Sequence, residues 1–134
     1  VLAFLMPIVA SMGGNAGMQT LAVTVRTLAT NDLTKNNFNQ NILKEFNIGI
    51  LNGVIFAVIS SFIVQVWFKD ITLSLIISIS MIITMIVAGL FGILVPVTLK
   101  KMKIDPAIAS SVFVTTITDV IGFVSFLGVG AYYL

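Results

Sequence analysis

The chain has 134 residues, 58% of them hydrophobic and only 9% charged, with a formal net charge of +2 and a mean hydropathy of +1.14. A soluble domain carries about 25% charged residues, so this composition excludes one and points to an integral membrane protein. Cysteine and histidine are both absent, which removes zinc, copper, iron–sulfur and haem sites together with thiol and imidazole chemistry.

The hard ligands that remain are carboxylates, amides, hydroxyls and carbonyls, which suit Mg²⁺, Ca²⁺ or Mn²⁺. Basic residues are few and confined to loops, so nucleic-acid binding has no support. The apolar segments are long rather than ten-residue alternating strands, which argues for helices and against an outer-membrane barrel.

The first expected helix covers residues 1–29. It starts inside an apolar run with no basic leader, as the membrane part of a longer protein would. Pro7 predicts a kink or a helix boundary near its outer end. Residues 11–20 place three glycines, an amide pair and two hydroxyls at membrane depth. Gly13 and Gly17 form a small-xxx-small pair that lets another backbone approach. Asn15 and Gln19 are one turn apart, and Thr20 and Thr24 nearly continue that face. Arg26 marks the exit.

Residues 30–45 are polar and rich in Asn, and read as a loop in which Asp32 caps a short surface helix running through Lys44 and Glu45. The second helix is expected over 46–68, interrupted by Asn47, Asn52 and Gln65, with Trp67 at the end where an interfacial aromatic belongs. Lys69 and Asp70 make a short turn. The third helix is expected over 71–99, with Gly89 and Gly92 allowing close packing and Pro96 before the exit. In the basic loop 100–106, Asp105 is placed to cap the last helix, with Pro106 at its first position. That helix, 107–134, ends on Tyr132 and Tyr133.

Asp119 lies in the middle of the last run, which carries no other charge. At 1.5 Å per residue it sits roughly 18 Å from the start of the run, near the centre of a ~30 Å hydrocarbon layer. A carboxylate there costs at least ~2.5–3.5 kcal/mol unless it faces water, a cation or a partner. Ser111, Thr115, Asp119 and Gly122 share one helical face with Thr118 beside it, and Phe126 is expected to face lipid. The fold class is therefore all-α, a polytopic bundle of four membrane helices with no soluble domain. The excess of Lys and Arg in loops 30–45 and 100–106 makes those loops cytoplasmic and puts both ends of the chain outside. At least one further helix is then expected upstream.

Two separated motifs resemble one family. Pro7, Met12-Gly-Gly-Asn-Ala-Gly-Met-Gln19 and Val25-Arg-Thr-Leu-Ala29 resemble the first part of an MgtE-type magnesium channel/transporter membrane domain. Asp105-Pro-Ala-Ile-Ala-Ser110 and Thr115-Thr-Ile-Thr-Asp-Val-Ile-Gly-Phe123 resemble its last part. The similarity covers essentially all of residues 1–134, as the second to fifth of the family's five membrane helices. It implies a homodimer in a cell (plasma) inner membrane with a pore at the subunit interface, and cytosolic N and CBS domains elsewhere in the full-length chain. It implies Mg²⁺ as the transported ion, recognised in hydrated form by Asp119 with carbonyls near Thr115. Taken with the polar stripes, the candidate pore lining is Gly13, Gly14, Asn15, Gly17, Gln19, Thr20, Ser111, Thr118 and Gly122. Val112 departs from a family preference for proline nearby and leaves the acid and its spacing intact.

The residues alone leave other readings open. Asp119 could be a neutral hydrogen-bonding group tying helices together through Thr115 or Asn15, and the glycines could serve only close packing. The chain could also be a Na⁺- or H⁺-coupled carrier that uses Asp119, or a non-conducting assembly subunit. A lone buried carboxylate without a nucleophile, a base partner or a cofactor motif does not suggest an enzyme.

Overall fold

A computed structural model of the chain describes residues 2–29 and 38–133. These form α1 (Leu2–Ala29), α2 (Phe38–Phe68), α3 (Ile71–Lys101) and α4 (Pro106–Tyr133), with no strand among the described residues. Three of them are long and apolar enough to cross a membrane: α2, α3 and the Ser110–Tyr133 part of α4. α1, with 28 residues, has the length but not the uniform hydropathy, because its middle carries the Gly, Asn and Gln residues of 13–19. It is covered instead by α3 and α4.

The structure bears on two of these expectations. Pro7 lies inside α1 and does not bound it. α2 begins at Phe38 rather than near residue 46, so Glu45 is a residue of that long helix and not the end of a surface helix. Asp32, the expected cap of that surface helix, lies outside the described residues.

α3 is the central helix, packed against all three others, and α1 and α4 also pack together. Its apolar residues run right round the helix, as burial on every side requires. Ile76, Ile77, Met81 and Ala88 are fully covered. The N-terminus of α3 is held by Asp70, whose side chain accepts from the backbone N–H of Thr72 at 2.9 Å and Leu73 at 3.4 Å. Such a cap stabilises a helix by about 1 kcal/mol. At the other end, Lys103 takes a left-handed φ of 61°. There the N–H of Ile104 donates to the Leu99 carbonyl and that of Lys103 to the Lys100 carbonyl, which closes the last turn.

Glycines set the helix spacings. A Cβ on Gly49 or Gly53 of α2 would lie 2.9 Å from the Cα of Ile86 or Ile82, so α2 rests directly on the α3 backbone. Further along the same seam, the Ser61 and Ser78 hydroxyls meet at 2.6 Å and Ser74 donates to Gln65 Oε1 at 3.2 Å. Contacts of Gly13 with Thr84 and of Gly92 with Thr20 show that α1 and α3 run the same way. α2 and α4 run opposite to them. Arg26, Lys44, Lys100 and Lys101 therefore gather at one end of the bundle, where Lys100 Nζ donates to the Leu28 carbonyl of α1 at 3.1 Å. This places a cation on the negative end of the α1 dipole.

Candidate ion site

The seam between α1 and α4 is built from small residues facing a short stripe. Val114, Thr118, Gly122 and Phe126, spaced by four, form the buried face of α4. Thr118 and Phe126 are both 0% exposed. Phe126 thus belongs to the core with Leu5, Val9 and Ile77 rather than facing lipid; it stands two turns beyond Thr118 on the same face. Opposite the stripe, a Cβ on Gly17 would come within 2.8 Å of Val114 Cγ1 and 3.3 Å of Thr118 Cγ2, and one on Gly13 would strike Thr84 Cγ2. Gly122 faces the Ala10 backbone, with Cα 3.4 Å from its own would-be Cβ. Gly13, Gly17, Thr118 and Gly122 are therefore seam residues within one chain. Gly14 is more open, its nearest neighbour being Thr118 Oγ1 at 4.0 Å.

The polar groups that are not consumed by the seam lie on its flank. Thr115 is exposed, while Asp119 and Ser111 are half-buried. On α1, Ser11, Asn15, Met18 and Gln19 are exposed, and the Thr115 hydroxyl sits 3.9 Å from Met18 Sδ, linking the two flanks. The Thr118 hydroxyl donates to the Thr115 carbonyl at 3.0 Å, alongside the helical N–H that oxygen accepts within α4. Asp119 has no hydrogen-bond or ion-pair partner among the described residues. The contacts to Thr115 or Asn15 that a helix-tying role would use are not made within the chain. A carboxylate in that position must be met by water, a cation or another chain.

Thr20 and Gln19 face elsewhere. Both line a separate cavity shared with α2 and α3, and Thr20 Oγ1 donates to Glu45 Oε2 at 3.2 Å. Thr24 is buried and its hydroxyl returns to the Thr20 carbonyl at 2.8 Å. Glu45 was missed by sequence reading, although Glu45, Gly49 and Asn52 at i, i+4 and i+7 mark one helical face. No group of three or more acidic side chains that could enclose a bare metal occurs among the described residues. Single carboxylates with hydroxyls and carbonyls around them suit an ion that keeps its water, as Mg²⁺ does.

Comparison with known proteins agrees with this chemistry. Residues 6–129 match the family model of MgtE, described as a divalent cation transporter. The chain is 32% identical over 133 residues to the magnesium transporter MgtE of Bacillus subtilis, covering 99% of this chain and 30% of that protein. It is 33% identical over 134 residues to the magnesium transporter MgtE of Enterococcus faecalis, covering 100% of this chain and 30% of that one. Against the magnesium transporter MgtE of Thermus thermophilus it is 32% identical over 129 residues, covering 96% of this chain and 28% of the relative. The chain thus spans under a third of the length of the curated relatives it matches. The match runs through both the glycine-rich middle of α1 and the Asp119 segment of α4, and the chain belongs to the MgtE family of divalent cation transporters.

Proposed function

We propose that this chain is the pore-forming membrane part of a magnesium transporter, in which two copies set their α1–α4 flanks face to face around a hydrated Mg²⁺. The observation that carries the reading is Asp119, a carboxylate on an open flank near mid-membrane with no partner among the described residues of its own chain. Two such acids related by a two-fold axis supply a doubly charged ring for a doubly charged ion, through an isologous interface. Thr115, Ser111 and Asn15 on the same flank offer oxygens to the ion's water. Gly13 and Gly17 act one layer behind, seating α4 close to α1 so that the acid is held at the rim. The cytosolic N and CBS domains implied by the family resemblance are then the parts that regulate opening from inside the cell. The role is conduction and not catalysis.

Crosslinking tests the shared flank. Thr115→Cys in the full-length protein, on a cysteine-free background, is expected to form a disulfide between copies, and Mg²⁺ is expected to change its yield. Val124, 62% exposed on another face, is the control, and Val124→Cys is expected to crosslink poorly. A conducting protein in which Thr115→Cys never joins two copies would mean that each chain holds its own pathway.

The orientation proposed for this assembly puts the end with Arg26, Lys44, Lys100 and Lys101 in the cytoplasm, since basic residues are retained there. A cysteine replacing Met102, 62% exposed at that end, should react with an impermeant maleimide only from inside. One replacing Lys69 should react only from outside. The opposite labelling pattern would invert the arrangement.

A further inference from the structure

On the α2–α3 side of α1 lies a cavity of about 170 Å³, with Gln19 and Thr20 of α1, Glu45 and Asn52 of α2 and Gly89 of α3 among its lining. α1 and α2 otherwise have very little direct contact, each being packed on α3. Gly89, part of its wall, lets α2 come close to α3. A Cβ there would lie 3.2 Å from the Glu45 carbonyl oxygen and 3.8 Å from its Oε2. Glu45 is half-buried, and the Thr20 hydroxyl is its one hydrogen-bond donor among the described residues. The amides of Gln19 and Asn52 have no hydrogen-bond partner there.

A carboxylate, two idle amides and a hydroxyl therefore converge on one space that no cationic side chain lines among the described residues. At ~30 Å³ per water, the cavity holds the equivalent of five or six waters. That is the bulk of a small divalent ion with most of its hydration shell. Mg²⁺ is bound in this manner, through one or two carboxylates and its own waters.

We propose that the Glu45 cavity is a second binding site for a hydrated divalent cation, distinct from Asp119, which bridges α1 to α2. Glu45 supplies the charge, while Asn52, Gln19 and Thr20 orient the ion's waters. Occupancy ties the glycine-bearing helix α1 to the α2–α3 pair and so braces the back of the proposed pore. The choice of a divalent ion rests on membership of a divalent cation transporter family, and not on the reading of Asp119 as the pore acid.

The test uses the full-length protein in nanodiscs, cysteine-free apart from Leu51→Cys, which carries a nitroxide. Leu51 is 60% exposed and adjoins Asn52 without lining the cavity. Titrated Mn²⁺ is expected to broaden the nitroxide spectrum saturably, and Mg²⁺ to reverse it. Glu45→Gln, which keeps an acceptor for Thr20, is expected to weaken this binding by about tenfold or more, as loss of an ion's supporting group does. Asn52→Leu should weaken it too, and Asp119→Asn should leave it intact. Unchanged binding in Glu45→Gln would overturn the site, as would broadening that vanishes in Asp119→Asn alone, since the ion would then be the one at Asp119. Normal Mg²⁺ flux in Asp119→Asn would instead remove the pore reading and leave this site standing.

Discussion

Asp119→Asn and Asp119→Ala are expected to abolish Mg²⁺ flux while the protein still assembles. The side chain makes no hydrogen bond or ion pair within the described chain, so removing its charge breaks nothing that holds the helices together. Its loss even relieves the ~2.5–3.5 kcal/mol cost of placing a charge at membrane depth. In the proposed two-fold pore the ion, by contrast, loses the Asp119 charge on both sides of the axis. Depriving a buried charge of its partner costs ~3–5 kcal/mol, so occupancy is expected to fall at least about a hundredfold. Asp119→Glu keeps the charge but moves it by about one C–C bond, and partial flux is expected. The measurement is Mg²⁺ uptake into liposomes, with gel filtration to establish assembly. Flux at the parent level in Asp119→Ala would remove the acid from the mechanism.

The second large effect is expected at Gly17, and it has the opposite character. A Cβ at this position already meets Val114 Cγ1 at 2.8 Å and Thr118 Cγ2 at 3.3 Å, with the Ala88 carbonyl oxygen at 3.6 Å. Val114 and Thr118 are both fully buried, so neither has room to turn away. Gly17→Leu must push α1 off α3 and α4 together. Overpacking of a tight core costs ~1–3 kcal/mol and sometimes more, and here it falls on the seam that positions Asp119. Loss of both thermal stability and flux is expected. Gly14→Ala is the contrast, since its Cβ has only Thr118 Oγ1 at 4.0 Å for a neighbour, and it should melt as the parent does. A Gly17→Leu protein as stable as the parent would mean that the α1–α4 seam is looser than these contacts imply.

Much of this arrangement is legible in the sequence because a bilayer permits few alternatives. Backbone groups in hydrocarbon must be paired internally, so long uncharged runs bounded by Lys69–Asp70 and Lys100–Lys103 had to be helices. The isolated charge of Asp119 stands out for the same reason. Facing was harder to read. α1 has small or polar residues on several sides, and nothing in its own pattern separates Asn15, which is exposed, from Thr24, which is buried. That division is imposed by α3 and α4, through Gly92 against Thr20 and Val114 against Gly17. Glu45 was hidden by its neighbourhood: the Asn-rich stretch before it resembles a loop, yet the helix already runs from Phe38. Its partner Gly89 lies far along the chain, and only packing brings the two together. Phe126 was expected to face lipid and is buried, because the spacing that places it was not followed far enough. Counting by four from Thr118 reaches Gly122 and then Phe126, all buried on one face. Asp70, read only as part of a short turn, caps α3, and an Asp immediately before an apolar helical run is the signal that would have shown it.

The most direct test of the shared site is anomalous diffraction from crystals of the full-length protein grown with Mn²⁺ in place of Mg²⁺. One peak per pair of chains is expected on the two-fold axis between the two Asp119 carboxylates, at a distance that leaves room for water around the ion, and it should be absent in Asp119→Asn. An Mn²⁺-bound, conducting protein with no peak between the Asp119 side chains, or with a separate ion inside each chain's own bundle instead, would contradict a pore built from two copies around that acid.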